Sequence, residues 1–184
     1  MSTIYLDNAA TTKVREEVVS VISSIINKEY GNPSSTHSYG RSSKSLIESS
    51  RKEIADILNV KSSEIIFTSG GTEGDNMIIR NCVNNLGVSH IITTKIEHHA
   101  VTHTIDDLIR SNNINVSYVK LSKSGHVDLN DLEEILKRSD EKSLVSLMHI
   151  NNEIGNITDI QLVSEICQKH NSLFHSDTVQ SVGH

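Results

Sequence analysis

The sequence predicts an α/β fold with three layers, in which a mostly parallel sheet lies between two layers of helices. Beyond Asn59, short β-prone runs alternate with longer segments whose apolar residues recur at helical spacing. Strands separated by helices of this length form βαβ units, so the strands run parallel and helices cover both faces of the sheet. Polar clusters also follow several of the predicted strands directly, and this is where such sheets bind ligands.

The chain before Asn59 is predicted to be an arm followed by two helices. Residues 1–13 form the arm, in which an extended Ile-Tyr-Leu run precedes Asx and Thr side chains that favour turns. Apolar residues at helical spacing predict a one-sided amphipathic helix over 14–29. A turn with the only proline follows, and a second helix runs from near Gly40 to about Asn59. The residues predicted to form its buried stripe are Leu46, Ile47, Ile54, Ile57 and Leu58.

The alternating part of the chain is predicted to contain five strands and four further helices. The length and composition of each run separate the strands from the helices. Thr72 is a candidate N-cap for the first of these helices, and Asp128 is a candidate N-cap for the third. The predicted strands cover residues 64–68, 90–93, 116–121, 144–148 and 173–175. The predicted helices cover residues 75–86, 99–111, 130–138 and 160–170.

Composition limits the classes of partner. The 184 residues suffice for one domain, or for one domain and an arm, and the net charge of −6 with scattered Lys and Arg argues against nucleic acid. Cys82 and Cys167 lie far apart without a Cys-x-x-Cys motif, so we expect two buried free thiols in a reducing compartment. No secretory leader is recognisable and no apolar run approaches the roughly 18 residues of a membrane span. We therefore expect a soluble, cytoplasmic protein without a membrane partner.

A glycine-rich turn separates the first strand of the alternating region from its helix. The adjacent glycines Gly70 and Gly71 allow close approach of backbone N–H groups to a ligand, and a helix start adds unpaired donors and a positive dipole end. This combination suits a phosphate group. The turn lacks the Gly-Lys-Ser/Thr of a P-loop, and Ser69 stands where a dinucleotide-binding motif requires glycine. An ordinary strand-to-helix turn explains the glycines equally well.

Four polar clusters follow predicted strands and should face one cleft, because the carboxyl ends of parallel strands lie at the same edge of a sheet. Together they supply a phosphate cradle, an imidazole, an amide and a carboxylate. A phosphorylated aromatic cofactor such as pyridoxal phosphate requires this set of groups. The clusters are residues 69–72, 95–99, 149–153 and 176–180.

Each member of these clusters also has a simpler interpretation. His99 and His103 lie one helical turn apart and could form the edge of a metal site, but no third ligand stands at a telling spacing, so no metal is predicted. His98 could bond locally at a helix start, and Asp177 and Asn152 could cap loops. The convergence of the clusters favours a binding site over these separate local roles.

Six sequence blocks resemble the cysteine desulfurases of iron–sulfur cluster assembly. They span this chain but correspond only to the N-terminal half of a family member. The resemblance implies a pyridoxal phosphate enzyme of fold type I, related to the class V aminotransferases. Residues 14–184 would then be part of the large cofactor-binding domain, and residues 1–13 an arm belonging to a small domain. The blocks are residues 5–12, 31–37, 67–73, 97–101, 148–155 and 175–180.

The resemblance implies a role for two elements of the proposed cleft. Gly71 and Thr72 match the turn that binds the cofactor phosphate through backbone N–H and hydroxyl groups. His98 matches the catalytic imidazole that stacks on the pyridine ring and moves protons near the substrate. The implied reaction converts L-cysteine to L-alanine and passes the sulfur, as an enzyme persulfide, to a sulfur-acceptor scaffold protein. Members of the family are implied to work as homodimers.

Three further residues match contacts to the cofactor ring. Asn152 and Gln180 match side chains that hydrogen-bond the phenolic oxygen, and Asp177 matches the carboxylate that keeps the pyridine nitrogen protonated. The family's Schiff-base lysine comes a few tens of residues after the aspartate block, beyond His184, and its persulfide cysteine lies later still. We therefore expect this chain to be inactive alone.

Two alternatives to a cysteine desulfurase half remain open at the level of sequence. The first is a non-catalytic module or fragment that binds the cofactor or an interaction partner. The second is a related pyridoxal phosphate lyase, such as selenocysteine lyase, which the N-terminal half distinguishes poorly. Neither Cys82 nor Cys167 lies in a motif that matches the family's persulfide cysteine, so both are interpreted as core thiols.

Overall fold

A computed structural model describes residues 3–111 and 114–183 of the chain. The first two residues of the predicted arm and His184 lie outside the described residues. The chain divides into two compact units, here called the N-terminal unit, Met1–Phe67, and the C-terminal unit, Thr68–His184. No helix in the described part of the chain is both long and apolar enough to cross a bilayer.

The N-terminal unit contains the two helices that the sequence predicts. Helix α1 spans Glu16–Lys28 and helix α2 spans Ser38–Leu58. The side chain of His37 accepts a hydrogen bond from the backbone N–H of Gly40 and so caps α2, whereas α1 begins without a side-chain cap. Asn59 ends α2 in the left-handed conformation, with φ of 54°.

The predicted buried stripe of α2 is wrong. The buried residues of α2 are Gly40, Ser43 and Ala55, and α1 has no buried residue. Of the predicted stripe, Leu46 is half-buried, Ile47, Ile54 and Leu58 are exposed, and Ile57 is 82% exposed. Helical spacing gathers apolar side chains on one face, but burial also requires an element that covers that face. The described residues of the N-terminal unit do not provide such a cover.

The predicted strand over 64–68 is also wrong. Ser62–Glu64 form a short 3₁₀ helix, and the residues after it run without a strand partner in the part of the chain that the structure describes. Arg51 Nη1 donates a hydrogen bond to the carbonyl oxygen of Ile65 at 2.6 Å, and its guanidinium lies 4.7 Å from the centre of the Phe67 ring. A β-prone run becomes a strand only when a neighbouring strand satisfies its backbone groups.

The C-terminal unit confirms the parallel sheet. Its strands are β1 (His90–Thr93), β2 (Asn115–Tyr118), β3 (Ser143–Ser146) and β4 (Leu173–His175), in the order β2-β1-β3-β4. Every pairing between these strands is parallel. Strands β1 and β4 have the predicted bounds, whereas β2 and β3 begin one residue earlier and end sooner than predicted.

The helices of the C-terminal unit also match the predicted pattern. They are α3 (Gly71–Leu86), α4 (His99–Ser111), α5 (Leu129–Arg138) and α6 (Ile160–Lys169). The predicted cap on α5 is confirmed, because the Asp128 carboxylate accepts hydrogen bonds from the backbone N–H groups of Asn130 and Asp131. Thr72 as N-cap of α3 is wrong, since the helix already begins at Gly71 and Gly70 occupies the N-cap position.

The three-layer arrangement is visible in the two hydrophobic clusters. Successive residues of a strand point to opposite faces, so Ile91 of β1 belongs to one cluster and Ile92 to the other. The first cluster joins the sheet to α3 and α4, and the second joins it to α5 and α6. Cys82 lies in the first cluster and Cys167 in the second, and both are free and buried as predicted.

Candidate functional site

The polar clusters of the C-terminal unit meet at the carboxyl ends of the strands. The backbone N–H of His149, after β3, donates to the carbonyl oxygen of Asp177, after β4, at 2.9 Å. A Cβ placed on Gly71 would come within 2.6 Å of Val179 Cγ2, so the turn after β4 also packs against the start of α3. Three segments distant in sequence therefore share one end of the sheet.

The start of α3 has the features of an anion cradle. Gly70 precedes the helix in an extended conformation and gives it no side-chain cap, and the first N–H groups of a helix lack intrahelical partners. Glu73 accepts a hydrogen bond from the backbone N–H of Ser69 at 2.5 Å, and this contact with Ser69 lowers the pKa of the Glu73 carboxyl. Thr72 is exposed beside these groups. Glu73 thus holds the turn, and an uncapped helix start of this kind suits an anion.

His98 lies at the start of α4 with its side chain exposed. Its Nδ1 accepts a hydrogen bond from the backbone N–H of Ala100 at 3.1 Å. In the neutral imidazole the proton is therefore on Nε2. The local cap that the sequence allowed for His98 is present, and it fixes the tautomer. His99 stacks on His103 at 4.7 Å, and the described residues contain no group of three His, Cys, Asp or Glu side chains that could hold a metal ion.

A cleft brings His98 and Asn152 together. Its walls are the turn before α4 and the loop after β3. Asn152 is half-buried and its Nδ2 donates to Glu153 Oε1 at 3.0 Å. The buried Asn151 accepts hydrogen bonds from the backbone N–H groups of Glu153 and Ile154 and so closes a tight turn. This turn presents Asn152 to the cleft.

Asp177 and Gln180 lie in the turn that follows β4, and both are half-buried. Asp177 Oδ1 accepts a hydrogen bond from the backbone N–H of Val179 at 2.9 Å, which is the local loop contact that the sequence allowed for it. The same residue's carbonyl oxygen is bound by His149, so its backbone is fixed to the end of β3. The carboxylate is consequently held at the sheet end, next to the start of α3.

Sequence reasoning gave no role to Glu97, which the structure places at the centre of this end of the sheet. Only 7% of Glu97 is exposed, and its carboxylate accepts hydrogen bonds from Thr94 Oγ1 at 2.7 Å and from the Met148 backbone N–H at 2.8 Å. Burial raises the pKa of Glu97 to about 7, and the negative charges of Asp177 and Asp75 add to this effect. The Thr-x-x-Glu spacing could have indicated the Thr94 contact, but not the contact with Met148.

A second buried polar group was also missed. His175 Nε2 lies 3.3 Å from Asp75 Oδ1, and His175 Nδ1 lies 2.9 Å from Ser146 Oγ. All three residues are buried, and Asp75 Oδ2 has no hydrogen-bond partner among the described residues. The group joins the second turn of α3 to β3 and β4. Nothing in the sequence indicates that residues so far apart would meet.

The residues at this end of the sheet fit pyridoxal phosphate. The cofactor carries a phosphate, a pyridine nitrogen and a phenolic oxygen, and the site offers an open helix start, a carboxylate and amide side chains. A larger residue at Gly71 would require the exposed side chain of Val179 to move, so glycine lets the turn after β4 lie close to the helix start. The exposed imidazole of His98 lies beside the cleft.

Residues 4–184 match the family model for class-V aminotransferases. The chain is 43% identical to the cysteine desulfurase IscS of Dictyoglomus turgidum, over 98% of this chain and 46% of that protein. It is 40% identical to the putative cysteine desulfurase IscS 1 of Bacillus subtilis, over 100% of this chain and 48% of that protein. The chain thus spans about half the length of the curated relatives it matches.

Solved structures give the same result. A NifS-like protein superimposes with a TM-score of 0.91 at 38% identity, covering 98% of this chain and 50% of that one. A NifS-like protein from Rickettsia africae gives a TM-score of 0.86 at 40% identity, covering 99% and 49%. The protein SspA, solved in complex with cysteine, gives 0.89 at 31% identity, covering 97% and 51%. The likeness therefore extends over both units of the described chain.

Proposed function

Because the chain belongs to the class-V aminotransferase family, whose members are pyridoxal phosphate-dependent enzymes of fold type I, we propose that it is the N-terminal half of a cysteine desulfurase. The observation that carries this proposal is the meeting of the α3 start, His98, Asn152 and Asp177 at one end of the sheet. The proposed reaction converts L-cysteine to L-alanine and transfers the sulfur, as an enzyme persulfide, towards iron–sulfur cluster assembly.

Pyridoxal phosphate, when bound, supplies an electron sink that makes the substrate Cα proton acidic. In the proposed site the backbone N–H groups at Gly71 and Thr72 hold the phosphate, with the positive end of α3 behind them. The Asp177 carboxylate holds a proton on the pyridine nitrogen, because an adjacent negative charge favours the protonated form of that nitrogen. Asn152 and Gln180 donate hydrogen bonds to the phenolic oxygen.

His98 is the proposed catalytic residue. Its Nδ1 is engaged by the Ala100 N–H, so the ring orientation is fixed and Nε2 is the nitrogen that remains for proton transfer. The exposed ring lies at the cleft, where it can stack on the cofactor and exchange a proton with the substrate. The cap on α4 and the catalytic imidazole are therefore the same side chain in two roles.

The reaction also requires a lysine that anchors the cofactor as an imine and a cysteine that forms the persulfide, and we propose that neither is supplied by residues 1–184. Burial raises the pKa of both cysteine thiols, that of Cys167 to about 12, so neither is a thiolate at neutral pH. We accordingly propose that residues 14–184 are part of a large domain, and that residues 1–13 are an arm of a small domain completed by further chain. A homodimer, a sulfur-acceptor scaffold protein and a cytoplasmic location belong to the same proposal.

The test begins with the nucleotide sequence downstream of the His184 codon. An open frame that continues into a lysine-containing block would be expressed with this chain and assayed for alanine release from L-cysteine. We expect turnover by the longer protein and none by the 184-residue chain. In the longer protein, Asp177→Asn should slow loss of the Cα proton about 100-fold, which is equivalent to about 2.7 kcal/mol, while Glu165→Gln on the exposed face of α6 leaves it unchanged.

Two results would contradict the proposal. Alanine release by the purified 184-residue chain, above a control without protein, would show that the missing half is not required. A longer protein that binds pyridoxal phosphate but acts on selenocysteine and not on cysteine would assign the chain to a related lyase.

Loss of the Cα proton can be followed by exchange of deuterium from solvent, which reports on Asp177 without requiring the sulfur-transfer step.

A further inference from the structure

Two loops form the walls of the cleft that contains His98 and Asn152, and two hydrogen bonds join these loops directly. The first loop, residues 94–98, leads from β1 to α4, and the second, residues 147–154, follows β3. The Met148 backbone N–H donates to Glu97 Oε2 at 2.8 Å. Asn151 Nδ2 donates to the carbonyl oxygen of Ile96, also at 2.8 Å. The second loop thus supplies both donors and the first loop both acceptors.

We propose that Glu97 is a positioning residue that holds the His98 imidazole opposite Asn152. It does so by fixing the first loop to the end of β3, one residue before His98. The inference rests on the function proposed above, because that function gives His98 and Asn152 a common ligand. Asn151 reinforces the same link from the other side of the cleft, through the backbone of Ile96.

The contacts of Glu97 show how it acts. Thr94 Oγ1 binds one carboxylate oxygen and the Met148 N–H binds the other, so both oxygens already have protein partners. Glu97 lines the cleft but is only 7% exposed, so its main contacts are with the protein. Thr94 holds the Glu97 side chain within its own loop, while Met148 fixes that loop to β3. The effect on the reaction is therefore transmitted through the backbone to His98.

The hydrogen bond from the Met148 N–H to Glu97 should depend on pH, because the charge of Glu97 does. Burial raises the pKa of Glu97 to about 7, so the acceptor of the Met148 N–H changes from neutral to negative near neutral pH. A hydrogen bond to a carboxylate is shorter and stronger than one to a neutral acid. Other titratable groups on the surrounding elements must be separated from Glu97 by mutation. These groups are Asp75, His98, His99, His126, His149, Glu153, His175 and Asp177.

The experiment follows the Met148 amide of the full 184-residue chain by ¹⁵N NMR between about pH 5.5 and pH 8.5, around the raised pKa. We expect its resonance to titrate with a midpoint near 7 in the wild type and in the control Glu165→Gln, where an exposed carboxylate on α6 is removed. Glu97→Gln should abolish this titration. The glutamine oxygen can still accept the Met148 N–H while its amide group donates to Thr94, so the loops should remain joined.

Glu97→Ala removes both contacts and provides the test of positioning. We expect hydrogen exchange of the Met148 amide to accelerate about tenfold or more, with shifted resonances for the His98 ring and the Asn152 side chain, whereas Glu97→Gln restores both. Thr94→Val removes one contact and should give a smaller change at the same resonances. If Glu97→Ala does not fold, Thr94→Val replaces it as the test of positioning.

The same variants separate this inference from the proposed function. Pyridoxal phosphate binding, measured by absorbance, should weaken about tenfold in Glu97→Ala and by less than about threefold in Glu97→Gln. If the wild-type chain bound no pyridoxal phosphate but the Met148 and His98 responses were as expected, the positioning role would stand and the proposed function would lose support. A Met148 titration that persists in Glu97→Gln, or a His98 ring that is unaffected by Glu97→Ala, would overturn the inference.

Discussion

The N-terminal unit and the C-terminal unit both contain amphipathic helices, but only the helices of the C-terminal unit bury their apolar faces. Ile79 of α3 is 0% exposed, whereas Ile57 of α2 is 82% exposed. In the C-terminal unit a parallel sheet lies between two helical layers and covers each apolar face. The comparison of the two units shows that helical periodicity specifies which side of a helix is apolar. That side becomes part of a core only when another element packs against it.

The largest expected effect comes from matched truncations of these two isoleucines. Ile79→Ala should lower the free energy of unfolding by about 2–5 kcal/mol, because it removes fully buried methylene groups and leaves a cavity. Ile57→Ala should change it by less than about 0.5 kcal/mol, because the side chain is already in contact with water. Urea denaturation followed by circular dichroism measures both. Equal losses would mean that α2 is covered in solution, which would break the comparison.

The second expected effect concerns pH and the buried acid Glu97 of the C-terminal unit. Its pKa rises from the ordinary 4.5 to about 7 on folding, so the folded chain binds the proton more tightly than the unfolded chain. The stabilisation that results from this tighter proton binding is fully present below about pH 4.5 and is lost as the pH rises through about 7. The difference between the two pKa values corresponds to about 3 kcal/mol of unfolding free energy.

Glu97→Gln isolates this contribution from those of the other ionisable groups. Relative to Glu97→Gln, the unfolding free energy of the wild type should fall as the pH rises from about 5 to about 8, and the difference should then become constant. Urea titrations at several pH values measure this difference. A difference independent of pH would show that Glu97 is ionised in the folded chain throughout this range.

The third expected effect concerns self-association through the exposed apolar face of α1. Val18 and Ile22 lie one turn apart on this helix and are exposed, so we expect the chain to self-associate through such apolar residues. Replacing both with lysine should weaken self-association about tenfold or more, since each buried apolar side chain contributes roughly 1.5–3 kcal/mol. Gln161→Lys with Gln168→Lys adds the same charge at exposed positions of α6 and should have little effect.

Analytical ultracentrifugation over a range of concentrations measures this self-association. A wild-type chain that sediments as a monomer and melts in one sharp transition would contradict the expectation. Equal reduction by the α6 control would assign the effect to net charge and not to the apolar face of α1.

The smallest effect compares the starts of two helices. Asp128→Ala should cost about 1 kcal/mol, because the carboxylate accepts hydrogen bonds from two backbone N–H groups at the start of α5. Arg15→Ala should cost less than about 0.5 kcal/mol, because α1 has no side-chain cap to lose. Thermal unfolding of the two variants measures the difference, and a larger loss for Arg15→Ala would contradict it.

Much of the C-terminal unit was predictable because its signals are local. The bounds of β1 and β4 follow from short apolar runs between helical segments, and the cap at Asp128 follows from its position before α5. The gathering of polar clusters at one end of the sheet follows from parallel topology alone. Gly71 also lies next to the segment that contains Asp177, but it does so through the start of α3 and not through a strand of the sheet.

Apart from the cap assigned to Thr72, which is a local shift of the start of α3, the errors have a common physical cause, which is dependence on a partner distant in sequence. Residues 65–67 have strand-like composition, yet no strand pairs with them in the described part of the chain. The contact of Glu97 with Met148 and that of Asp75 with His175 depend on how β1, β3, β4 and α3 pack. Neither contact leaves a pattern along the chain, so both could be found only in three dimensions.

The two cysteines of the C-terminal unit can report on how this unit opens, through the rate at which each thiol reacts. Cys82 lies under the helical layer of α3 and α4, and Cys167 lies under the layer of α5 and α6. Each thiol is protonated and shielded in the folded state, so an alkylating reagent reacts with it only after its own layer has separated from the sheet. Timed alkylation followed by mass spectrometry of the two peptides would therefore show which layer opens first, without any residue being replaced.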